Sequence, residues 1–352
     1  MLQAFTLHFY TYCYQMNYFH YPHTIALEGG ETLPQITIAY NTYGTMNADK
    51  SNVVWVCHAL TANSEVADWW GGLIGPGKVI DPEKYFIVCA NILGSCYGST
   101  GPLSINPVTE APYYSSFPLV TIRDMVKAHI LLREHLGIEK IFLLMGGSMG
   151  GYQAMEWCIM ENDRIGQLFL LATSATESAW GIAIHTAQRL AIEADQSWQS
   201  PSAEAGANGL KAARAIGMLT YRNYNIMVAQ QKDPDTEKID QYKASSYIEY
   251  QGGKLVQRFN AKSYWLLTKS MDSHHIGRGR GGNTELILKD IVQKTLLIGI
   301  NSDILCPIAE QQFLNRHLPN ANLIVIDSNY GHDGFMVETT IISQHLANWM
   351  GK

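Results

Sequence analysis

Apolar runs of strand length, bounded by turn residues, recur at both ends of the chain. They lie at 35–40, 52–60, 85–94, 140–147, 165–173, 294–300 and 322–327. In most of them the apolar residues follow one another instead of alternating with polar ones, as in parallel strands that helices cover on both faces. We predict that these runs form the strands of a mostly parallel sheet.

Amphipathic helical patterns lie between several of these runs. In the segment 121–137, Thr121 and Asp124 stand at the spacing of a capping box, with Asp in place of Glu, and Gly137 stands where a C-cap is expected. The segment 311–318 shows a second helical pattern. Alternating strands and helices predict an α/β protein with a doubly wound sheet and right-handed crossovers.

The middle of the chain lacks strand runs and contains helical patterns only. They lie at 181–195, 209–231, 245–259 and 261–272. We predict a helical lid insertion over 174–289, above the carboxyl ends of the strands. The core is then formed by 17–173 and 290–352, and residues 1–16 are an N-terminal extension to which we assign no function.

Composition excludes several classes of protein. The chain has 352 residues, of which 47% are hydrophobic and 16% charged, with a formal net charge of -6. These values are typical of a globular protein. The basic residues form no long run, which argues against a nucleic-acid partner. An uncharged apolar stretch of about 18 residues is also missing, which argues against a membrane span.

The six cysteines are scattered and form no CxxC pair. In a chain of this length, that pattern favours reduced thiols in a cytoplasmic protein over a disulfide framework or a zinc site. The apolar N-terminus has no Lys or Arg before its apolar part and no clear cleavage site, so it is a poor secretory signal.

A sharp glycine turn separates a predicted strand from a predicted helix at 146–150. Its sequence, Gly-Gly-Ser-Met-Gly, fits the G-x-S-x-G pattern of a nucleophile elbow, in which a strained serine is lifted above the end of the sheet. The glycines two positions before and after Ser148 are expected to relieve crowding there. We predict that Ser148 is a nucleophile. The alternative is a passive serine in a glycine-rich turn.

A serine nucleophile needs a base and an acid that orients the base, in the chain order Ser, Asp or Glu, His. Asp303 follows one predicted strand, and His332 lies in the loop after the next. Asp327 is the rival acid, but it stands at a strand end only five residues before the histidine. We predict a Ser148, Asp303 and His332 triad, and this chemistry needs no metal.

Two backbone amides are candidates for binding an oxyanion. Met149 begins the helix after the nucleophile, and Leu60 lies in the loop after an early strand. His58, beside that loop, is interpreted as a strand-end histidine that backbone groups satisfy.

Several long segments are similar to the homoserine O-acetyltransferase family of α/β-hydrolase-fold acyltransferases. The blocks "WWGGLIGPGK", "GSCYGSTGP" and "TIRDMV" are long and specific, and the resemblance covers nearly everything from about Asn17 onward but not the residues before Met16. The matching segments are 57–107, 117–126, 146–157, 209–222, 263–282 and 331–335.

The resemblance implies an α/β-hydrolase fold and acetyl transfer from acetyl-CoA to L-homoserine in methionine biosynthesis, by a ping-pong acyl-serine mechanism without a further cofactor. It also implies that Arg214 binds the substrate carboxylate, that Asp333 binds the amino group, and that the protein is a homodimer. Arg222 is the alternative carboxylate ligand. If 209–222 is one helix, the two arginines stand eight residues apart, just over two turns, and face the same side.

Other functions stay open at this stage. Succinyl-CoA is an alternative donor and serine an alternative acceptor, and the same triad would also serve an esterase or be retained in a non-catalytic binding protein. Arg278 and Arg280, among four glycines, suit either the phosphates of CoA or a hinge with solvated charges, and the hinge is favoured.

Overall fold

The computed structural model describes residues 16–351. The predicted N-terminal extension therefore lies outside the described residues except for Met16, as does Cys13. The other five cysteines are free thiols, in line with the sequence analysis. No helix within residues 16–351 combines the length and the hydropathy needed to cross a bilayer.

An eight-stranded sheet forms the centre of the protein. Its strands are β1 Asn17–Tyr21, β2 Ile36–Tyr43, β3 Val53–Cys57, β4 Phe86–Ala90, β5 Ile141–Gly147, β6 Ile165–Leu171, β7 Lys294–Ile300 and β8 Ala321–Ile326. Their spatial order is β1-β2-β4-β3-β5-β6-β7-β8. The pairs β1–β2 and β2–β4 are antiparallel, and the other neighbours run parallel. All seven predicted strands and the mostly parallel sheet are confirmed.

The strand β1 is not among the predicted strands, for a physical reason. It is an edge strand with one neighbour, and of its five residues only Phe19 is buried. An edge strand that faces solvent carries polar residues and gives no continuous apolar run. Two further hairpins are too short to leave a pattern; they pair Ile25–Ala26 with Thr32–Leu33 and Ile105–Asn106 with Ala111–Pro112.

Some helices cover the two faces of the sheet, and others lie in the predicted lid range. They are α1 Val66–Trp69, α2 Ile122–His135, α3 Met149–Met160, α4 Ala179–Glu193, α5 Ala207–Tyr221, α6 Tyr224–Gln231, α7 Lys243–Val256, α8 Ala261–Asp272, α9 Thr284–Lys289, α10 Ile308–His317, α11 Gly334–Val337 and α12 Thr339–Met350. On one face, α2 and α3 share a core with Trp55 of β3; on the other, α12 packs in a second core that contains Phe169 of β6. The continuous apolar strands thus have apolar partners on both sides.

The predicted capping box at the start of α2 is confirmed. The Thr121 hydroxyl accepts a hydrogen bond from the Asp124 amide at 3.3 Å, and the Asp124 carboxylate accepts one from the Thr121 amide at 3.0 Å. Gly137 follows the helix with φ 64°, a left-handed conformation that glycine adopts without steric cost. The local sequence therefore fixes both ends of this helix.

The helices α4 to α8 lie within the predicted lid insertion 174–289, and one of their boundaries differs from prediction. The segment 209–231 is two helices, α5 and α6, separated at Arg222, whose φ of -107° and ψ of 145° are extended. The Asn223 side chain caps the second helix. Arg214 and Arg222 were expected to face the same side only if 209–222 is one helix, and because α5 ends at Tyr221 that condition is not met at Arg222. Helix α9, inside the predicted lid range, packs against α10 beside the sheet.

Candidate active site

Ser148 lies in the sharp turn between β5 and α3. Its φ of 53° and ψ of -127° are unusual for a residue with a side chain, and such conformations cost about 1–3 kcal/mol. A Cβ on Gly146 would lie 2.3 Å from the Gly150 carbonyl oxygen, and one on Gly150 would lie 2.1 Å from the Cys57 carbonyl oxygen. The interpretation that both glycines relieve crowding around Ser148 is confirmed.

The structure brings the three predicted triad side chains into contact. The Ser148 Oγ lies 2.8 Å from the His332 Nε2, and the His332 Nδ1 lies 2.7 Å from the Asp303 Oδ2. The amides of Leu305 and Cys306 donate to the other oxygen of Asp303 at 2.8 and 2.9 Å. The carboxylate is thereby held so that it accepts a hydrogen bond from Nδ1–H, which leaves Nε2 free to accept the serine proton.

Electrostatics around His332 favour its protonated form. Burial alone would lower the pKa of this histidine, but the adjacent Asp303 carboxylate raises it, and the charges of Asp333 and Glu177 add to that effect. The net pKa lies above the ordinary value for histidine. An imidazolium formed during a reaction would therefore be stabilised in place.

The rival acid, Asp327, does not reach the histidine. It is exposed and accepts a hydrogen bond from the Asn301 side chain. The choice of Asp303 over Asp327 agrees with this geometry.

Asp303, Cys306 and His332 bring three potential metal-ligand atoms within 4.8 Å of one another. The facing atoms of Asp303 and His332 are already hydrogen bonded to each other. Burial raises the pKa of the Cys306 thiol well above its ordinary range, so the thiol stays neutral. A metal would need the thiolate and two free ligand atoms, so these residues suit the triad better than a metal centre.

The candidate oxyanion donors flank the serine. Among residues 16–351, the backbone amides of Leu60 and Met149 have no hydrogen-bond acceptor, and the amide of Met149 lies at the N-terminus of α3. His58 shapes the loop that holds Leu60: one ring nitrogen contacts the Ala59 carbonyl at 2.9 Å, and the other accepts from the Ile92 amide at 3.2 Å. Burial lowers the pKa of His58 to about 4, so it is a neutral structural residue, as predicted.

A cavity of about 690 Å³ extends from the triad toward solvent. Ser148 and His332 lie on its wall together with residues 59–63 of the loop after β3. The lid contributes side chains from α5 and from the region of α7. The reactive groups are thus enclosed between the sheet and the lid but can be reached.

The two candidate arginines have different surroundings. Arg214 is half-buried on the cavity wall, with its guanidinium 5.3 Å from the centre of the Tyr221 ring, and it has no salt bridge within the described chain. Arg222 instead forms an ion pair with Asp333, at 2.9 Å between Nε and Oδ2, although its N–H is not aligned for a hydrogen bond. Arg214 is therefore the one left free to meet an anion.

Asp333 lies on the cavity wall beside His332. Burial raises the pKa of its carboxyl above the ordinary value, while the positive charges of Arg222 and Arg214 act in the opposite direction. Its carboxylate thus lies beside Arg222, within the electrostatic influence of Arg214, at the edge of the space where a substrate would lie.

Two cations that were not predicted from the sequence, Lys254 and Arg258, lie on the same wall. The Arg258 Nη1 donates to the Thr61 carbonyl at 2.5 Å and to the Tyr97 hydroxyl at 2.6 Å. Two cations four residues apart within a predicted helical segment were the available signal, since that spacing places them on one face.

The arginines of the glycine-rich segment 274–282 pair with carboxylates, and the hinge stays a prediction. Arg278 pairs with Glu28 at 2.8 Å, and Arg280 pairs with Glu156 at 2.5 Å. Arg123 contacts both carboxylates. Neither of the two predicted cations lines the cavity, and neither is simply solvated, because they tie the end of the lid to α2 and α3.

The fold and the serine turn define the class of the protein. Residues 52–339 match the model of the alpha/beta hydrolase fold family, and the chain has this fold. Within this class, it is 48% identical over 320 residues to a homoserine O-acetyltransferase of Cyclobacterium marinum, a match that covers 91% of each chain. The chain therefore belongs to the homoserine O-acetyltransferase family.

Solved structures of two different kinds share this architecture. The homoserine O-acetyltransferase of Bacillus anthracis superposes with a TM-score of 0.89 at 24% identity, over 96% of this chain and 98% of that one. The esterase E22 L374D mutant superposes with a TM-score of 0.88 at 25% identity, over 96% and 99%. The fold by itself does not separate transfer from hydrolysis.

Proposed function

We propose that the protein transfers the acetyl group of acetyl-CoA to the side-chain hydroxyl of L-homoserine, a step of methionine biosynthesis. The observation that carries this proposal is the Ser148–His332–Asp303 chain, with contacts of 2.8 and 2.7 Å, at the base of a cavity in a member of this family. Acetyl-CoA acts as a co-substrate, and the chemistry requires no metal.

In the first half of the reaction, the Ser148 Oγ attacks the thioester carbonyl carbon while His332 Nε2 takes the serine proton. The developing oxyanion accepts hydrogen bonds from the amides of Leu60 and Met149. The carbon–sulfur bond then breaks, and CoA leaves as the thiol with the proton that His332 returns. The product is an acetyl ester on Ser148.

In the second half, the homoserine hydroxyl attacks this ester as His332 takes its proton. The ester bond to Ser148 breaks, the serine oxygen regains the proton, and O-acetylhomoserine is released. Arg214 holds the substrate carboxylate, since a guanidinium fork matches its two oxygens. Asp333 accepts hydrogen bonds from the ammonium group, and the positive charge of Arg222 opposes the effect of burial on the pKa of Asp333.

A serine esterase is the second candidate, because the similar structure of esterase E22 has the same fold. The half-buried Arg214 on the cavity wall favours transfer, because it offers a place to a zwitterionic acceptor beside the acyl group. In an esterase, water would replace the acceptor.

Purified protein incubated with acetyl-CoA and L-homoserine tests the proposal. We expect thiol release with stoichiometric O-acetylhomoserine, measured with a thiol reagent and by mass spectrometry, and loss of both in Ser148→Ala. Succinyl-CoA and L-serine are the competing substrates in the same assay. Free acetate formed equally fast with and without homoserine would support the esterase instead.

We also propose that two copies of the chain associate through the lid. Exposed apolar side chains lie on adjacent lid helices, among them Leu219 of α5 and Tyr224 and Val228 of α6, which are 63%, 78% and 43% exposed. Apolar side chains gathered in this way favour an interface. Light scattering after gel filtration should give twice the chain mass, and Leu219→Lys should shift the mass toward that of the monomer.

The proposed location is the cytoplasm, on the ground of the free cysteines.

A further inference from the structure

Three cations of the lid line the cavity at different depths. Ser148 and His332 at its base are buried, with 7% and 3% of their surface exposed. Arg214 is half-buried, whereas Lys254 and Arg258 are exposed. All three cations also surround a smaller recess of about 100 Å³ beside the cavity, together with Gln251. Positive charge therefore continues from the interior of the site to its mouth.

These charges lack carboxylate partners. Within the described chain, none of the three forms a salt bridge, although most of the other arginines do. Of the two acids on the cavity wall, Asp333 is already paired with Arg222, and Asp68 is exposed and lies in no ion pair within residues 16–351. In a protein with a net charge of -6, an unneutralised cationic mouth favours an anionic ligand.

Arg258 is held in place without a carboxylate. Its guanidinium is fixed by the Tyr97 hydroxyl at 2.6 Å and by the carbonyl of Thr61, the residue after Leu60, at 2.5 Å. These neutral partners leave its full positive charge available. A guanidinium that is already positioned loses less entropy when it binds an oxyanion.

We propose that Lys254 and Arg258 bind the phosphate groups of the CoA donor, while Arg214 is reserved for the carboxylate of the acceptor. The inference rests on the proposed function, since it concerns the donor of that reaction. Depth separates the two roles. A small amino acid must reach the buried serine, so its carboxylate lies near half-buried Arg214. The phosphates of CoA lie at the far end of a long pantetheine arm and need cations at the solvent-exposed mouth.

The test compares two thioester donors in wild type, Lys254→Met and Arg258→Met. One donor is acetyl-CoA, and the other is S-acetyl-N-acetylcysteamine, which ends before the phosphates. In a ping-pong reaction, kcat/KM for the donor reports the first half-reaction only, and kcat/KM for homoserine reports the second. We expect each substitution to lower kcat/KM for acetyl-CoA about five- to tenfold, the range for a partly screened charged contact. The values for the short donor should change less than twofold.

Lys140→Met is the matched control. It removes an exposed charge just before the N-terminal end of β5, whereas Ser148 follows the C-terminal end of the same strand. It should leave both donors unaffected. Added salt should weaken acetyl-CoA use by the wild type more than by Lys254→Met. If Arg258→Met does not fold, Lys254→Met and the charge reversal Lys254→Glu carry the test.

Equal losses with both donors, or none with acetyl-CoA, would overturn the inference. So would a loss confined to kcat/KM for homoserine, because the cations would then serve the acceptor. A wild-type protein that transfers acetyl from neither donor would instead contradict the proposed function, and the inference would fall with it.

Discussion

Replacing Asp303 with asparagine isolates the role of the carboxylate. The Oδ1 of Asp303 accepts from the amides of Leu305 and Cys306, so the asparagine oxygen should take that position and its NH2 group should face His332. An NH2 group only donates, so His332 must accept on Nδ1 and carry its proton on Nε2. That proton then points at Ser148, and the histidine can no longer act as the base.

The size of the effect follows from the geometry. The imidazolium formed in the reaction loses a carboxylate whose oxygen lies 2.7 Å from Nδ1. Two unit charges about 4 Å apart at an effective dielectric of about 20 interact by about 4 kcal/mol, which corresponds to about a thousandfold in rate. The wrong tautomer adds to this loss, so we expect kcat/KM for acetyl-CoA to fall by about 10⁴.

Thiol release from acetyl-CoA, followed against pH, measures this effect. The substitution removes the charge that raises the pKa of His332 while burial continues to lower it, so the acid limb of any residual activity should move to lower pH. Asp327→Asn makes the same chemical change at the exposed rival acid and should alter kcat/KM by less than about twofold. The assignment is wrong if Asp303→Asn keeps more than about a tenth of the activity, or if the two variants lose equally.

Three further predictions concern packing, binding and pH. Gly150→Ala should lower the free energy of unfolding, measured in urea, by about 3 kcal/mol, because the new Cβ would lie 2.1 Å from a carbonyl oxygen. Gly253→Ala, which places its Cβ in open space on α7, should raise the free energy of unfolding by about 0.5–1 kcal/mol. Similar effects of the two substitutions would contradict the crowding argument. Arg214→Lys should lower kcat/KM for homoserine about 10- to 100-fold, but it should leave the rate of thiol release from acetyl-CoA in a single turnover unchanged. Equal losses in the two half-reactions would exclude a role of Arg214 in acceptor binding. Burial lowers the pKa of His129 to about 4, so the unfolded chain takes up its proton first as the pH falls. Stability should therefore decrease between about pH 6.5 and 4, by up to about 3 kcal/mol from this residue, and a His129→Gln variant with an unchanged pH dependence would contradict this account.

Local patterns predicted most of the strands and helices, and the two failures have different causes. The edge strand β1 faces solvent and buries only Phe19, so it lacks a continuous apolar run. The break at Arg222 lies beside Tyr221 and Asn223, residues of low helix propensity, and the Asn223 side chain caps α6, so a local signal for this break was present. The ion pair between Arg222 and Asp333 joins residues far apart in the chain, and no local pattern predicts it.

The roles of charged residues were the hardest to predict. Arg278 and Arg280 stand among glycines, a setting that suits a phosphate loop, yet Glu28 and Glu156 neutralise them. Lys254 and Arg258 have no such motif, yet they lie on the cavity wall. The composition of a segment does not say which distant carboxylate meets a given guanidinium, because that depends on how helices pack.

The sequence by itself determined the alternating α/β architecture, the serine turn with its glycines, and the order of nucleophile, acid and base. These features depend on the spacing of apolar residues, on crowding between nearby residues and on the order of residues along the chain. All three can be read from the sequence. Only the tertiary structure decided which cations among residues 16–351 lack a carboxylate partner, how deep each lies, and that Arg222 pairs with Asp333. Charge pairing depends on distances through space, and the fold brings together groups that the chain keeps more than a hundred residues apart.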